Sequence, residues 1–232
     1  MMTVQEIKRA IETLPIVDQQ EIGEWAQARQ PANFRVAERA PLPYLPTHEY
    51  ISVEDYLKQE TLSDVRHEYI SGTVYAMSGA SEAHVLIAGN LFSAIHAHLR
   101  GKPCKAYIAD FKVRIEINQE SVIYYPDLMV ACTRDGVEQY FLRYPKLIVE
   151  ILSPSTESID RREKLLSYTQ IHTVEEYALL SQTTLQLTIH RRAARWRPQV
   201  VSGSEASADF HSIDLSVPLA RIYEGIFRGA KH

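Results

Sequence analysis

The sequence predicts an α/β (α+β) protein with a short helical extension at its N-terminus. Three observations favour this class. The chain has 232 residues, 45% of them hydrophobic, which is enough to bury a sizeable core. The segment from Leu147 to Leu152 is apolar except for Glu150, a pattern typical of a central strand that is covered on both faces. Amphipathic helical patterns stand before and after the strand segments.

The first 50 residues precede the predicted domain. Residues 1–30 are expected to form two short helices that Pro15 separates, which is either a surface hairpin or a dimerising arm. Residues 31–50 contain several prolines with little periodicity and are expected to form a linker. The main domain is then residues 51–232.

The domain begins with a helix, a strand pair and a second helix. Ser52 and Asp55 resemble a capping box that opens a short helix. Residues 67–77 predict two strands around a turn at Ser71 and Gly72. Ser81 caps a helix that runs to about residue 100, where a glycine stops it.

Three successive strands are predicted next, over residues 104–117, 122–131 and 146–152. A helix follows from Asp160 to Ile171, with Asp160 and Glu163 as its capping box. Two further strands, at residues 176–181 and 185–190, and a short closing helix near residues 219–227 complete the pattern.

Charge, hydropathy and cysteine content narrow the class of protein. The net charge of −4 argues against a protein that only coats DNA, although an enzyme needs no more than a local basic surface. The N-terminus lacks an apolar signal segment and no membrane span is expected. Cys104 and Cys132 match no metal spacing and are expected to be two separate thiols in a reducing compartment. We therefore expect a cytoplasmic protein.

Glu150 is the first candidate site residue. A carboxylate inside a buried strand is costly unless it is paired, protonated or bound to a metal ion. An arginine or a backbone amide is an equally valid explanation at this point.

Asp127 is the second candidate site residue, because it lies on the predicted strand that precedes the strand of Glu150. Pro126 lacks a ladder donor, and a bulge there would re-aim the Asp127 side chain. Carboxylates from two adjacent strands can share a hard cation such as Mg²⁺. Alone, a Pro-Asp pair more often marks a turn.

Lys164 is the third candidate, because it stands one helical turn before the inward Tyr168. A lysine there can stabilise charge on a phosphate, and Arg161 and Arg162 beside it are candidate nucleic-acid contacts. The alternative is a solvated surface lysine. Glu68, His84 and Asp110 are weaker candidates for the same site. Glu68 is a candidate extra acid near the metal. His84 is either a contact to a phosphate or carboxylate or a satisfied core histidine, and Asp110 is a buried acid within a strand, either hydrogen-bonded structure or a neighbour of the metal site.

Several segments together resemble a known family. They are Arg66-His-Glu-Tyr-Ile-Ser-Gly, Ser81-Glu-Ala-His, Tyr125-Pro-Asp, Val149-Glu-Ile-Leu-Ser-Pro-Ser-Thr, Asp160-Arg-Arg-Glu-Lys and Glu175-Glu-Tyr. This set is similar to a restriction-endonuclease-like family abundant in bacteria, a branch of the PD-(D/E)xK nuclease superfamily. The resemblance covers about residues 52–192.

The resemblance implies a restriction-endonuclease-like core, in which helices flank a mixed central sheet. It implies that Asp127 and Glu150 are the acids of the two motifs. The superfamily usually keeps a lysine two residues after the second acid, where this chain has Leu152. Lys164 on the following helix matches the position to which the family has moved that lysine.

These observations predict a metal-dependent endonuclease that hydrolyses phosphodiester bonds in DNA. Asp127 and Glu150 are expected to bind Mg²⁺ or Mn²⁺, and Lys164 to assist catalysis. A homodimer is expected by analogy with nucleases that cut two strands. The alternative is a nuclease fold that is catalytically silent and acts as a binding or regulatory module. A small-molecule enzyme is less favoured, because the chain has no GxGxxG or Walker-type loop.

Overall fold

The computed structural model describes residues 50–154 and 156–227. The predicted helical hairpin at residues 1–30 and nearly all of the predicted linker lie outside the described residues.

The described residues contain five short or medium helices and thirteen strands. The helices are α1 (Val53–Glu60), α2 (Glu82–His98), α3 (Glu157–Ile159), α4 (Leu165–Thr169) and α5 (Leu219–Ile222). A π-helical turn, Asp160–Lys164, joins α3 to α4. The strands are β1 (His67–Ile70), β2 (Thr73–Ala76), β3 (Lys105–Ile108), β4 (Lys112–Ile117), β5 (Glu120–Tyr124), β6 (Leu128–Ala131), β7 (Phe141–Leu142), β8 (Leu147–Leu152), β9 (Glu176–Ser181), β10 (Gln186–Arg191), β11 (Pro198–Ser202), β12 (Ser207–Phe210) and β13 (Leu215–Pro218).

Two larger sheets and one small hairpin organise these strands. A five-stranded sheet has the order β2-β1-β5-β4-β7, and a six-stranded sheet has the order β11-β10-β9-β8-β6-β3. In the six-stranded sheet β8 pairs antiparallel with β6 and parallel with β9. The sheet is therefore mixed, as the resemblance implied, and β8 lies near its centre.

The two faces of β8 enter different parts of the core. Leu147, Val149 and Ile151 pack in one cluster with apolar residues of α2. Ile148 and Leu152 pack in a second cluster, with residues of the five-stranded sheet and with Tyr168 of α4. Side chains alternate along a strand, so Glu150 points into the second cluster. The sequence prediction of a strand buried on both faces is confirmed.

The predicted helix starts at Ser52 and Ser81 and the turn at Ser71 and Gly72 are confirmed. The Ser52 hydroxyl accepts a hydrogen bond from the Asp55 amide at 3.1 Å, and Ser81 accepts one from His84 at 3.1 Å. Gly72, in the turn between β1 and β2, has a φ of 91°, a conformation in which glycine avoids a side-chain clash.

Two of the predicted strands are wrong, because each is in fact two strands in different sheets. Residues 104–117 divide into β3 and β4 at Asp110, whose φ is 75°. Residues 122–131 divide into β5 and β6 before Asp127, where Pro126 has no amide to donate to a ladder. Both breaks carry the chain from one sheet to the other.

The predicted helix from Asp160 to Ile171 also needs correction. Helical structure begins earlier, with Thr156 at the cap position, and ends at Thr169. Asp160 is buried inside the π-helical turn and caps nothing. Its carboxylate faces the protein interior instead of a helix terminus.

The prediction of two separate thiols is wrong, because Cys104 and Cys132 form a disulfide. The two residues lie just beyond the paired ends of β3 and β6, where Lys105 stands opposite Ala131. The antiparallel register places them opposite each other, so their distance along the chain was misleading. Among the described residues, no helix is both long and apolar enough to cross a membrane.

Candidate active site

Asp127 and Glu150 meet where β6 begins beside β8. The register sets Leu128 opposite Val149, so the residue before β6 lies next to the middle of β8. Asp127 Oδ2 accepts a hydrogen bond from the backbone N–H of Ile151 at 2.7 Å. The Asp127 amide lies 3.4 Å from Glu150 Oε2. Two carboxylates from adjacent strands are therefore fixed to each other through backbone groups.

The Glu150 carboxylate is buried, with 3% of the residue exposed. Its Oε1 atom accepts a hydrogen bond from the Tyr168 hydroxyl at 2.8 Å and one from Lys164 Nζ at 3.1 Å. Burial raises the pKa of Glu150 well above its usual value; Lys164 acts against this shift, while Asp127 adds to it. Any further positive charge in the site therefore stabilises the ionised form of Glu150.

Lys164 lies inside a cage of carboxylates. Its Nζ atom is 3.0 Å from Glu68, 3.1 Å from Glu150 and 3.1 Å from Asp160. Burial alone lowers the pKa of Lys164, but the three carboxylates outweigh burial and hold the pKa well above its usual value. The charged form of Lys164 is therefore favoured, and its ammonium also lies 5.4 Å from the centre of the Tyr124 ring.

The π-helical turn places Asp160 and Lys164 on the inside of the same helix. Such turns insert one extra residue and are frequent at functional sites. The Tyr177 hydroxyl donates a hydrogen bond to the Asp160 carbonyl at 3.0 Å, and Thr156 donates one to the Asp160 carboxylate at 2.7 Å. Both bonds hold the turn against β9 and the start of α3.

His84 reaches the site from the first turn of α2. Its Nε2 atom lies 3.1 Å from Asp127 Oδ1. Gln182 fixes this end of α2 to the sheet, because its side chain accepts a hydrogen bond from Ser81 at 2.5 Å and donates one to the Leu152 carbonyl at 2.8 Å. Of the roles considered for His84, the structure shows the contact with a carboxylate.

The structure brings five of the candidate residues together and leaves three apart. The five that converge are Glu68, His84, Asp127, Glu150 and Lys164.

Asp110 is not part of this group. Its side chain is 76% exposed in the turn between β3 and β4 and pairs with Arg66 at 2.9 Å, so the expectation of a buried acid within a strand is wrong. Arg161 pairs with Glu157 at 2.8 Å on the surface of the helix, and Arg162 is exposed.

Sequence reasoning missed three residues of the site. Asp160 was assigned to a helix cap, although its spacing of four residues from Lys164 is that of an ion pair on one helix face. Tyr168 was expected to face inward without a polar role. Gln182 follows the end of β9 and gave no signal.

The donor set fits a hard divalent cation. Four carboxylates, those of Glu68, Asp127, Glu150 and Asp160, are gathered with the single ammonium of Lys164. Within residues 50–154 and 156–227, no three His, Cys, Asp or Glu side chains are arranged to hold a metal ion together. Mg²⁺ commonly takes one or two carboxylates and completes its shell with water and substrate phosphate, so Asp127 and Glu150 are the residues that would hold such an ion.

Three features together define a restriction-endonuclease-like protein. They are the mixed sheet, the Pro126-Asp127 pair before β6, and the buried side chains of Glu150 and Lys164. Comparison with known protein families supports the same class of protein. The family Uma2, described as "Putative restriction endonuclease", matches residues 53–220. The chain belongs to this family.

Two relatives and one solved structure extend the comparison. An "Uncharacterized protein slr1290" of Synechocystis sp. is 34% identical over 81% of this chain and 95% of its own length. A second Synechocystis protein, sll1609, is 24% identical over 71% of this chain and 94% of its own length. A crystal structure from Anabaena variabilis, described as a "putative nuclease belonging to DUF820", superposes with a TM-score of 0.62 at 19% identity. The superposition covers 76% of this chain and 99% of that one, and it shows a shared fold.

Proposed function

We propose that this protein is a metal-dependent endonuclease that hydrolyses phosphodiester bonds in DNA. One observation carries the proposal: the carboxylates of Asp127 and Glu150 are fixed side by side, with the Lys164 ammonium on Glu150. An acid pair with one adjacent cation is the donor set that a Mg²⁺-assisted phosphodiesterase requires. Membership of the restriction-endonuclease-like family supports the same reaction class.

Asp127 and Glu150 are the residues that would hold the cation, Mg²⁺ or Mn²⁺. Bound there, such an ion lowers the pKa of a water molecule and neutralises charge on the phosphate. The Ile151 amide holds Asp127 Oδ2, and Oδ1, which lies 3.1 Å from His84 Nε2, is the oxygen that would face a cation. Lys164 and Tyr168 hold Glu150 Oε1, and Oε2, which lies 3.4 Å from the Asp127 amide, is the oxygen that would face a cation. The two carboxylates are therefore oriented before any cation binds.

Lys164 has two roles in this proposal. It offsets part of the acid excess in the resting site, and it supplies fixed positive charge near the phosphate when negative charge builds up on the oxygens. Leu152 fills the position at which the superfamily keeps its lysine, and Lys164 brings an ammonium to Glu150 from the π-helical turn instead. Glu68 and Asp160 hold that ammonium in place.

The residues at the edge of the site have supporting roles. His84 orients the Asp127 carboxylate from α2. Arg161 and Arg162 are proposed contacts to the DNA backbone, because an exposed ion pair such as that of Arg161 contributes little and is readily exchanged for a phosphate. A homodimer, which would let two such sites act on the two strands, is proposed by analogy alone and is tested by light scattering.

The test is cleavage of plasmid, linear and single-stranded DNA by the full chain, with Mg²⁺ or with EDTA. The expected result is cleavage that requires Mg²⁺ and is lost in Asp127→Asn and Glu150→Gln. Asp135→Asn, which removes a carboxylate from an exposed loop, is the matched control and is expected to cut normally. Cleavage that persists in both site variants would overturn the proposal.

The alternative, a catalytically silent module that binds or regulates, has a distinct outcome. It predicts no cleavage of any of the three DNAs and no binding of Mg²⁺ or Mn²⁺ to the folded protein. One feature favours it: the described residues contain no third protein ligand at the acid pair. Metal titration of the purified chain separates the two functions.

A further inference from the structure

Glu60, the last residue of α1, is a buried carboxylate outside the site described above. Its side chain is 4% exposed. Its Oε1 atom accepts hydrogen bonds from the His67 amide at 2.8 Å and from the Tyr125 hydroxyl at 2.6 Å, and Oε2 lies 2.8 Å from His67 Nδ1. The hydroxyl of Tyr56, one turn earlier on α1, donates to the His67 carbonyl at 2.5 Å. The end of α1 is therefore bonded to two other segments of the chain.

These two segments are neighbouring strands whose backbone ladder has already ended. The pairing of β1 with β5 reaches the pair of Tyr69 with Ile123 and stops there. In the same register His67 would stand opposite Tyr125, but both are bonded to the Glu60 carboxylate instead. Glu60 thus bridges the two strands beyond the end of their ladder.

The start of β1 carries a residue of the active site on its other face. Side chains alternate along a strand, so His67 faces Glu60 while Glu68 faces the opposite way. There the Glu68 carboxylate lies 3.0 Å from Lys164 Nζ. Fixing His67 therefore also fixes the backbone from which Glu68 reaches the ammonium.

The end of β5 leads directly to the acid pair. Tyr125 precedes Asp127 by two residues, so their Cα atoms are at most about 7 Å apart. Pro126 stands between them, and its ring restricts φ. A shift of Tyr125 is therefore passed on to Asp127, whose carboxylate accepts the hydrogen bond of the Ile151 amide at 2.7 Å.

Lys112 gives the Glu60 side of the sheet a positive charge. It is the first residue of β4, in the register position beside Tyr125, and its Nζ atom lies 4.9 Å from the centre of that ring. Burial lowers the pKa of Lys112, and the negative charge of Glu60 opposes that shift. The buried carboxylate therefore has a cation nearby as well as hydrogen-bond donors.

We propose that Glu60 is a positioning residue of the active site. From the opposite face of the five-stranded sheet it sets the spacing between Glu68 and Asp127, and it acts through His67 and Tyr125. As a statement about catalysis, the inference rests on the proposed function. Catalytic groups must be held to within about 0.5 Å of their working geometry, and supporting hydrogen bonds of this kind hold them there.

The first experiment measures hydrogen exchange of the Ile151 amide by NMR, because that amide is bonded to Asp127 and reports on its position without any need for cleavage. Tyr125→Phe removes the hydroxyl that binds the bridging carboxylate and keeps the ring. Tyr69→Phe is the matched control, since it removes a buried hydroxyl from the same face of the sheet that is bonded to the Ile51 carbonyl instead. Urea denaturation of each variant measures its global stability.

Tyr125→Phe is expected to raise the exchange rate of the Ile151 amide several-fold relative to the other amides of β8, while Tyr69→Phe leaves that ratio unchanged. Glu60→Gln keeps an oxygen for both the His67 amide and the Tyr125 hydroxyl and is expected to match wild type. An unchanged ratio in Tyr125→Phe overturns the inference. So does an equal rise at every β8 amide, which would show only a general loss of stability.

The second experiment measures cleavage of DNA by the full chain with saturating Mg²⁺. Tyr125→Phe is expected to lower kcat about tenfold with little change in KM, because displaced acids weaken transition-state stabilisation and leave DNA binding intact. Tyr69→Phe is expected to keep both values, and Glu60→Gln to keep most of kcat. An equal fall of kcat in Tyr69→Phe, or a change confined to KM in Tyr125→Phe, overturns the inference.

The outcomes also separate this inference from the proposed function. Normal cleavage by wild type, with kcat and Ile151 exchange both unchanged in Tyr125→Phe, refutes the inference and leaves the function standing. A selective rise of Ile151 exchange in Tyr125→Phe, without cleavage by wild type, refutes the function and supports Glu60 as the residue that fixes Asp127.

Discussion

The side chain of Asp127 accepts a hydrogen bond from the backbone amide of Ile151 at 2.7 Å. Ile151 is the residue directly after Glu150, so this bond ties one proposed metal ligand to the strand that carries the other. Pro126 keeps this part of the chain out of the regular ladder, and the Asp127 carboxylate takes the place of a backbone acceptor. The distance between the two acids is therefore fixed by the sheet itself.

The first prediction concerns this bond. Asp127→Ala leaves the Ile151 amide buried without an acceptor and is expected to lower the free energy of unfolding by about 1–3 kcal/mol. Asp127→Asn keeps a carbonyl oxygen at the same place and is expected to stay within about 1 kcal/mol of wild type. Urea denaturation measures both values. Equal stability of the alanine variant and wild type would show that the bond contributes nothing.

The second prediction concerns the ammonium in the carboxylate cage. Lys164→Met leaves Glu68, Glu150 and Asp160 without their shared cation and is expected to lower the free energy of unfolding by about 3–5 kcal/mol. Lys58→Met, which breaks an exposed pair on α1, is the control and is expected to leave the free energy of unfolding close to that of wild type.

This loss should depend on pH. Lys164 opposes the raised pKa of Glu150, so Glu150 takes up a proton more readily without it, and part of the stability returns as the pH falls towards about 5. Denaturation of Lys164→Met at several pH values measures the effect. A deficit that is the same at every pH would contradict the cage as described.

The third prediction concerns Glu150. Its pKa is raised in the folded protein, so the folded state binds that proton more tightly than the unfolded state does. The cost of ionising Glu150 is therefore absent below the usual glutamate range and grows as the pH rises towards the folded pKa. Glu150→Gln removes this cost and is expected to stabilise the protein by about 0.5–2 kcal/mol at neutral pH.

Unfolding midpoints of wild type and Glu150→Gln between about pH 5 and pH 8 test the sign. The gain in the variant should increase with pH. A gain that shrinks as the pH rises would mean that Lys164 and Tyr168 outweigh burial and that the pKa of Glu150 is lowered.

The fourth prediction concerns the disulfide between Cys104 and Cys132, which closes a loop with a sequence separation of 28. Its reduction is expected to lower the free energy of unfolding by about 3–4 kcal/mol, since the unfolded chain regains the freedom of that loop. Urea denaturation with and without dithiothreitol measures the change. The double variant Cys104→Ser with Cys132→Ser should not respond to the reductant, and two free thiols in the untreated folded protein would contradict the bond.

Local sequence signals were sufficient for parts of the fold. Ser52 and Ser81 fixed two helix starts, because a hydroxyl cap acts on amides within three residues. The apolar run around Glu150 identified β8 as a buried central strand. Those features depend on neighbours along the chain, and sequence reasoning predicted them.

The remaining features depend on contacts between distant segments. Asp110 adopts a positive φ, which its residue type alone does not predict. The segment predicted as one strand is therefore divided into β3 and β4. The π-helical turn that buries Asp160 requires Tyr177 of β9 to hold it. Glu68 reaches Lys164 only because the two larger sheets face each other, which no local pattern reveals. The residue types of the site, acids and a lysine, were therefore predictable from the sequence. The arrangement of three carboxylates around Lys164 was not.

Calorimetric titration of the purified chain with Mn²⁺ and Mg²⁺ tests the central claim most directly, namely that Asp127 and Glu150 hold one divalent cation between them. Wild type is compared with Asp127→Asn, Glu150→Gln and the exposed control Asp135→Asn. We expect one site in wild type and in the control, and we expect each site variant to weaken metal binding at least tenfold while the protein stays folded. Identical isotherms in wild type and both site variants would contradict it.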